Sequence, residues 1–261
     1  MVLRLSSSIA RATLVFVAAV LAVALVYSSS RNALAAHYAG LETRQGHERS
    51  VQLEPGNPET WFLLGRYWEY NLVEPDAQAA IRAYRTSLSL DPRSSSTWLD
   101  LASAYESEGD APAARDAYQQ AKRVYPLSAE VAWRYGNFLL RQNDFPVAFA
   151  EIRHSVAVDP KRAAEAVSRC WRLDPDINSI IENVLPPSAS VYLDAIRELD
   201  ADAAMDPALT VWDKLRVLQP PPQIALAQVI PFTDSLIQAH RIDDAHRVWT
   251  QAVALSSFPD P

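Results

Sequence analysis

The sequence predicts an all-α chain, a solenoid of stacked antiparallel helix pairs preceded by an apolar N-terminal helix. Three observations predict it. First, tripeptides ending in proline recur at a fixed spacing: Leu90-Asp91-Pro92, Val124-Tyr125-Pro126 and Val158-Asp159-Pro160 are 34 residues apart, and Leu53-Glu54-Pro55 lies 37 residues before the first of them. Second, the residues between successive prolines fall into two amphipathic stretches of about 12–14 residues, the signature of helices with one buried face. Third, the 261 residues include 18 Pro but only 6 Gly. Proline cuts a chain into short elements. So few glycines exclude a hairpin-rich all-β fold and Gly-rich phosphate loops, which need repeated positive φ angles.

The first segment differs from the rest. Ala12 to Tyr27 is an uncharged run, Arg4 and Arg11 precede it, Ser28-Ser29-Ser30-Arg31 follow it, and no acidic residue occurs before Glu42. Residues 1–31 therefore carry a charge of +3. The rest, with 21 Lys and Arg against 31 Asp and Glu, carries −10. A membrane-spanning helix needs about 20 apolar residues. Residues 9–30 nearly supply them when Arg11 snorkels to the interface. We expect residues 1–31 to be an uncleaved signal anchor crossing the membrane through residues 9–30, with Ser28-Ser29-Ser30 as a linker or helix start. The two arginines before the run, against one after it, put the N-terminus inside and the body outside. A cleaved signal competes with this reading, because Ala33-Leu34-Ala35 has the small-x-small pattern of a cleavage site. Cleavage would leave a secreted or periplasmic chain. A buried soluble helix is the third reading. The single Cys170 excludes an intramolecular disulfide framework and suits an exported chain.

The helix pairs follow in order when residues are counted back from each proline. Before Pro126, Trp98, Leu101 and Tyr105 mark a first helix, and Ala114, Tyr118 and Ala121 a second. Before Pro160 the same offsets hold Ala132, Tyr135 and Leu139, then Ala148, Ile152 and Ser155, with Gly136 beside Tyr135. Before Pro92 they hold Ala80, Tyr84 and Ser87, whereas Trp61, Leu64, Gly65 and Trp68 are displaced by three residues. The displacement places an insertion in the turn at 71–76, where a longer loop costs little. Before Pro220, Tyr192, Leu199, Ala208, Trp212 and Leu215 keep the offsets, and Phe232, Leu236, Ala245, Trp249 and Ala252 form a last unit.

Gly65, Gly136 and the alanines of the second helices let paired helices approach closely. Asp-Pro or Tyr-Pro ends each second helix, and Asp or Asn in turns such as 108–110 and 142–144 caps the next. One pair cannot bury its own apolar face, so neighbours stack. The repeat domain is expected over residues 32–261. Its units are clear over 56–160 and degenerate over 33–55 and 161–257, with 161–187 shortened.

The pattern W-x2-L-G-x2-Y, then A-x3-F, then A and P over 34 residues, resembles the tetratricopeptide repeat. Residues 97–126 match it closely, and 60–92 and 129–160 match it well. The resemblance implies a right-handed superhelix whose first helices line a concave groove for an extended peptide or a partner helix. It implies that Phe62, Arg66, Leu99, Ser103, Trp133 and Asn137 line that groove. Glu59, Glu130, Glu69, Tyr70, Glu106 and Arg141 would lie on the same face. Aromatic anchors give contact area and interleaved polar groups fix register. The carboxylate clamp of chaperone-binding members is not implied, because Phe62 and Trp133 stand where a clamp lysine belongs.

Catalysis has no signal. No P-loop, G-x-G-x-x-G, G-x-S-x-G or H-E-x-x-H motif occurs, and no two of the five histidines are four apart. We therefore expect no enzyme activity, cofactor, metal site or small-molecule substrate. Only the unpatterned segment 174–187, with Asp174, Asp176 and Glu182, leaves room for an unseen site. Cys170 reads as a small buried hydrophobe. The acidic body argues against nucleic acid, and Arg162, Arg169 and Arg172 read as a solvated helix face.

The expected function is a non-catalytic protein-protein interaction scaffold. By analogy of architecture, it would be single-pass in the inner membrane of a bacterial envelope, with its body extracytoplasmic. The alternative is an accessory or regulatory subunit of an envelope polysaccharide-synthesis or export machine. No polar capping helix follows the last helix near Leu255. The sequence is then a fragment or its end docks on another domain, and either predicts an apolar face around Phe232, Leu236, Trp249 and Val253 for contact with a further domain or subunit.

Overall fold

The structure, a computed structural model, describes residues 8–256. Arg4, residues 1–7 of the expected anchor and residues 257–261 lie outside the described residues. Fourteen α-helices and two single turns of 3-10 helix are present, and no strand occurs among the described residues. The chain divides into two compact units, Met1–Val124 and Tyr125–Pro261, each considered by itself.

The first unit contains α1 (Ser8–Ala39), α2 (Arg44–Leu53), α3 (Pro58–Tyr70), α4 (Ala77–Leu90), α5 (Ser95–Ser107) and α6 (Ala111–Val124). They pack as the pairs α1/α2, α3/α4 and α5/α6, and α4 also packs along α5. The apolar run does not end in a linker. α1 continues through Ser28, Ser29 and Ser30 to Ala39, a helix of 32 residues. This corrects the reading of the three serines as a linker and puts the boundary expected at residue 31 inside a helix. Serine in a helix costs only about half a kcal/mol relative to alanine, too little to stop a helix with a long apolar run on one side and a packed segment on the other.

What changes along α1 is its surroundings. Residues 11–30 are exposed, whereas Ala35 is 2% exposed. α2 closes on α1 there because position 46 is glycine: a Cβ at Gly46 would collide with the Tyr38 carbonyl oxygen. At the other end of α2, Arg31 Nε donates to Glu54 Oε1 at 3.0 Å, and the Arg31 guanidinium lies 6.0 Å from the Tyr27 ring centroid. The turn after α2 is thereby fixed beside Arg31, about 6 Å along the helix from Tyr27 at ~1.5 Å per residue. Residues 8–30 project beyond that turn.

The later pairs of this unit repeat their own contacts. The Thr43, Asn57, Asp76, Ser94 and Asp110 side chains accept from backbone N–H groups at the starts of α2 to α6, satisfying donors that a helix leaves unpaired. Trp61 Nε1 donates to the Pro55 carbonyl at 2.9 Å, and Trp98 Nε1 to the Pro92 carbonyl at 3.0 Å. The Tyr84 hydroxyl donates to Glu69 Oε2 and the Tyr118 hydroxyl to Glu106 Oε1, both at 2.6 Å, tying each second helix to its first. Residues 71–76 form the longer turn, in which Asn71 Oδ1 accepts from the Val73 and Glu74 amides.

The second unit contains α7 (Ala129–Arg141), α8 (Phe145–Val158), α9 (Ala163–Leu173), α10 (Ile177–Asn183), α11 (Ala189–Ala201), α12 (Met205–Leu215), α13 (Ile230–Gln238) and α14 (Ile242–Leu255). α7 and α8 pair through Gly136, where a Cβ would meet Ile152 Cγ1 at 2.8 Å. Ile152 and Leu140, both buried, occupy the positions that Tyr118 and Glu106 hold 34 residues earlier, so an apolar pair replaces the polar tie. At 161–187 the expected shortened pair is not formed. α9 packs chiefly along α11 rather than folding back on α10, because α10 has only seven residues to offer. Arg153 of α8 closes that short helix by donating to the Leu185 and Glu182 carbonyls at 2.7 and 3.1 Å.

Tyr192, Leu199, Ala208, Trp212 and Leu215 are all buried, and Trp212 Nε1 reaches Gln251 Oε1 at 2.8 Å. Phe232 and Leu236 are also buried, because α13 packs against both α11 and α14. The exposed apolar face of the last pair therefore differs from the expected one: Ile230, Ile237 and Ile242 join Trp249 and Val253. Cys170 is buried, and burial pushes its thiol pKa up to about 12, leaving it a packing residue.

Gly46→Ala is expected to destabilise the α1/α2 contact by about 1–3 kcal/mol, the usual range for overpacking. Hydrogen exchange should accelerate across residues 31–53 while residues 95–124 keep their protection. Unchanged exchange at 31–53 would mean that α1 and α2 do not pack as described.

Candidate functional site

The expected groove residues divide between the two units. In the first, α3 brings Phe62, Arg66, Glu69 and Tyr70 together. The Arg66 guanidinium lies 5.8 Å from the Phe62 ring centroid and 5.5 Å from that of Tyr70, within cation–π range. Its Nε is 3.9 Å from Oδ2 of the buried Asp100. Glu69 and Glu106 face the tyrosines of their own pairs. Burial, reinforced by the bond to Glu69, pushes the Tyr84 hydroxyl well above the ordinary tyrosine range, so it stays a donor. Leu99 is 4% exposed and belongs to the interior, and Ser103 is half-buried. α5 thus offers little open surface at these positions, while α3 offers Arg66 and Tyr70.

Beside them, between α1, α2 and α3, opens a cleft of about 860 Å³. Ala36, Ala39 and Gly40 give it a small-residue wall and Arg66, Tyr67 and Tyr70 an aromatic and basic one, and Glu42, His47, Leu63, Asn71 and Leu72 complete it. His47 is 6% exposed, its ring 5.2 Å from that of Tyr67. Its Nδ1 is buried without a hydrogen-bond partner. Burial lowers the His47 pKa below the ordinary histidine value, so the ring is neutral at pH 7. Sequence spacing did not single out this cleft, because half of it comes from the degraded opening pair. The one available signal was a histidine next to the glycine on which the pair closes.

In the second unit the expected face is covered by the chain itself. Trp133 and Asn137 are each 7% exposed. The Arg162 and Arg169 guanidinium groups lie 5.3 and 5.4 Å from a Trp133 ring centroid. Asn137 Oδ1 accepts from Arg169 Nη1 at 2.9 Å while its Nδ2 donates to the Trp133 carbonyl at 2.8 Å. Glu130 Oε2 accepts from Arg162 Nη2 at 2.7 Å, and Glu165 Oε1 from Arg169 Nη2 at 2.6 Å. Arg162 and Arg169 are therefore clasps over Trp133, which corrects their reading as a solvated face. Arg141 is exposed at the end of α7. Asp176 caps α10, which gives that carboxylate a structural role.

The tetratricopeptide repeat family matches residues 75–123 and 99–163. The general transcriptional corepressor ssn6 of Schizosaccharomyces pombe is 26% identical over 147 residues, 48% of this chain and 13% of that protein. The tetratricopeptide repeat and J domain-containing co-chaperone DNJ1 of Cryptococcus neoformans is 31% identical over 97 residues, 37% of this chain and 19% of that protein. The matches span less than a fifth of either relative. Among solved structures, pilF of Pseudomonas aeruginosa is 16% identical with a TM-score of 0.45, covering 87% of this chain and 93% of that one. Yeast Tom70 is 15% identical with a TM-score of 0.46, covering 77% and 44%. Residues 75–163 match tetratricopeptide repeats, and proteins built of such repeats act as protein-interaction scaffolds, typically without catalysis.

Proposed function

We propose that the chain is a membrane-anchored, non-catalytic scaffold whose first unit binds a protein or peptide partner in the cleft between α1, α2 and α3. The observation that carries this reading is the exposed Arg66 side chain at the wall of that cleft, flanked by the Phe62 and Tyr70 rings. Arg66 between two aromatic rings adds a charged and a flat apolar contact at the same place. In the second unit Trp133 and Asn137 already bond within the chain, which favours the first unit as the receiving one.

The anchor reading rests on α1. Its stretch Arg11–Ala39 is long and apolar enough to cross a membrane, and its most apolar window has no buried residue. A bilayer satisfies such a surface; water does not. Cleavage after Ala35 would cut a helix where Ala35 is packed and would remove the Arg31–Glu54 tie. The placement that follows is single-pass in the inner membrane of a bacterial envelope, with the body outside the cytoplasm, from the arginine asymmetry. The apolar face around Trp249 is offered, in this reading, to a further domain or subunit.

Two outcomes are expected. After extraction of membranes with alkaline carbonate the chain should stay in the pellet, and its N-terminal sequence should be that of residue 1 or 2. A soluble chain starting near Ala36 or His37 overturns the anchor. A photo-crosslinking residue in place of Tyr70 should give a discrete protein adduct that weakens about tenfold or more with Arg66→Glu, as for a central contact. The same adducts from a probe at exposed Asp116 would overturn the cleft.

A further inference from the structure

The bond from Arg31 to Glu54 fixes which edge of the first unit lies next to the apolar run of α1. The helices alternate in direction, so the turn after α4, residues 91–94, and the C-terminal end of α6 lie on that same edge. The turns after α1, α3 and α5 lie on the opposite one. The two edges differ in charge. The near edge carries Arg49, Arg85, Arg93, Lys122 and Arg123, besides Arg31. Its acids are Glu54, held by Arg31, together with Glu59, Asp91 and the buried Asp100. The far edge carries Glu42, Glu74, Asp76, Glu106, Glu108 and Asp110, and its Arg44 is paired with Glu48.

A second feature marks the near edge. Trp61 and Trp98 are both half-buried there, and each indole N–H is bonded to the carbonyl of the proline in the adjoining turn. The polar atom of each ring is thus satisfied and part of its apolar body faces out, with Leu90 exposed beside them. Tryptophan, leucine and arginine together are suited to the headgroup layer of a bilayer, where apolar bodies meet the acyl boundary and guanidinium groups meet phosphates.

We propose that this edge of the first unit rests on anionic phospholipid headgroups around the point where α1 enters the bilayer. The proposal depends on the anchor reading given under Proposed function. It commits the occupant of the edge to lipid on three grounds: the basic charge, the two tryptophans, and the continuity of the edge with a helix that has a membrane-spanning length. Each basic residue close to an anionic surface adds to the attraction. A geometric consequence follows for the cleft. Its mouth, at residues 36–42 and 66–72, lies toward the far edge, about 18 Å along α1 from Tyr27, so the cleft faces away from the bilayer.

The test uses the full chain in lipid nanodiscs of phosphatidylcholine, with or without phosphatidylglycerol, doped with lipid bearing a nitroxide quencher on its headgroup. A fluorophore is placed on Ser96→Cys at the near edge or on Glu74→Cys at the far edge; Cys170 is buried and stays unlabelled. The expected result is quenching at Ser96 about twofold or more above that at Glu74 in the anionic discs. That excess should be lost in phosphatidylcholine alone, in high salt, or with Arg93→Glu and Arg123→Glu combined. Circular dichroism checks that this charge-reversed variant keeps its helices. Equal quenching at the two positions in a chain that enters the discs overturns the lipid-facing edge while leaving the anchor standing. So does equal excess in neutral and anionic discs, or an edge occupied by nucleic acid or an acidic protein instead. A chain that elutes apart from the discs overturns the anchor and this proposal together.

Discussion

The contact on which the first unit depends is the closure of α2 on α1. It is a small contact with two fixed points. At Gly46 the helices come so close that a single carbon atom would collide with the Tyr38 carbonyl. At Arg31 a 3.0 Å bond pins the last turn of α2 to the start of the packed half of α1. Between these points Ala35 is buried. Because α1 has no break, whatever orients its apolar half also orients the opening helix pair. The level of each turn, the side on which the cleft opens and the edge that carries the arginines all follow from that closure.

A second theme is how polar side chains on helix faces are used. A carboxylate at the end of a first helix looks like a recognition group, yet Glu69 and Glu106 are engaged by the hydroxyls of Tyr84 and Tyr118. Where Leu140 and Ile152 take these positions the pair is held by burial instead. In the second unit, Trp133 and Asn137 are clasped by Arg162 and Arg169. In the first unit Arg66 and Tyr70 of α3 are exposed beside the buried His47.

Much of this architecture was legible in the sequence because its cause is local. The 34-residue spacing reflects one helix pair per proline, and the displaced Trp61 set located the turn at 71–76 without further information. Three features were not legible, each because its cause is a contact between distant residues. Ser28-Ser29-Ser30 resembles a linker, but the helix runs through it to the segment that packs on α2, where Arg31 bonds Glu54, 23 residues away in sequence. Phe232 and Leu236 share a helix face with no sign of whether it is covered, and α11 covers it. Arg162 and Arg169 carry charges that usually mean solvent, and only the proximity of Trp133 gives them another use. Of the candidate site, Arg66 and Tyr70 were readable from repeat offsets. The α1 wall and His47 were not, because the opening pair departs from the repeat pattern.

The central claim is that the apolar helix and the opening pair form one rigid body. The most direct measurement is a distance distribution between nitroxides on Val15→Cys and Gln45→Cys in the full chain in nanodiscs, by double electron–electron resonance. A continuous α1 closed against α2 places these positions about 40 Å apart, from ~1.5 Å of rise per residue along both helices and ~8–10 Å between their axes. A single narrow distribution near that value is the predicted result. A broad distribution, or one centred at a much shorter distance, would show that the helix bends or breaks near Ser28-Ser29-Ser30 and would contradict the account.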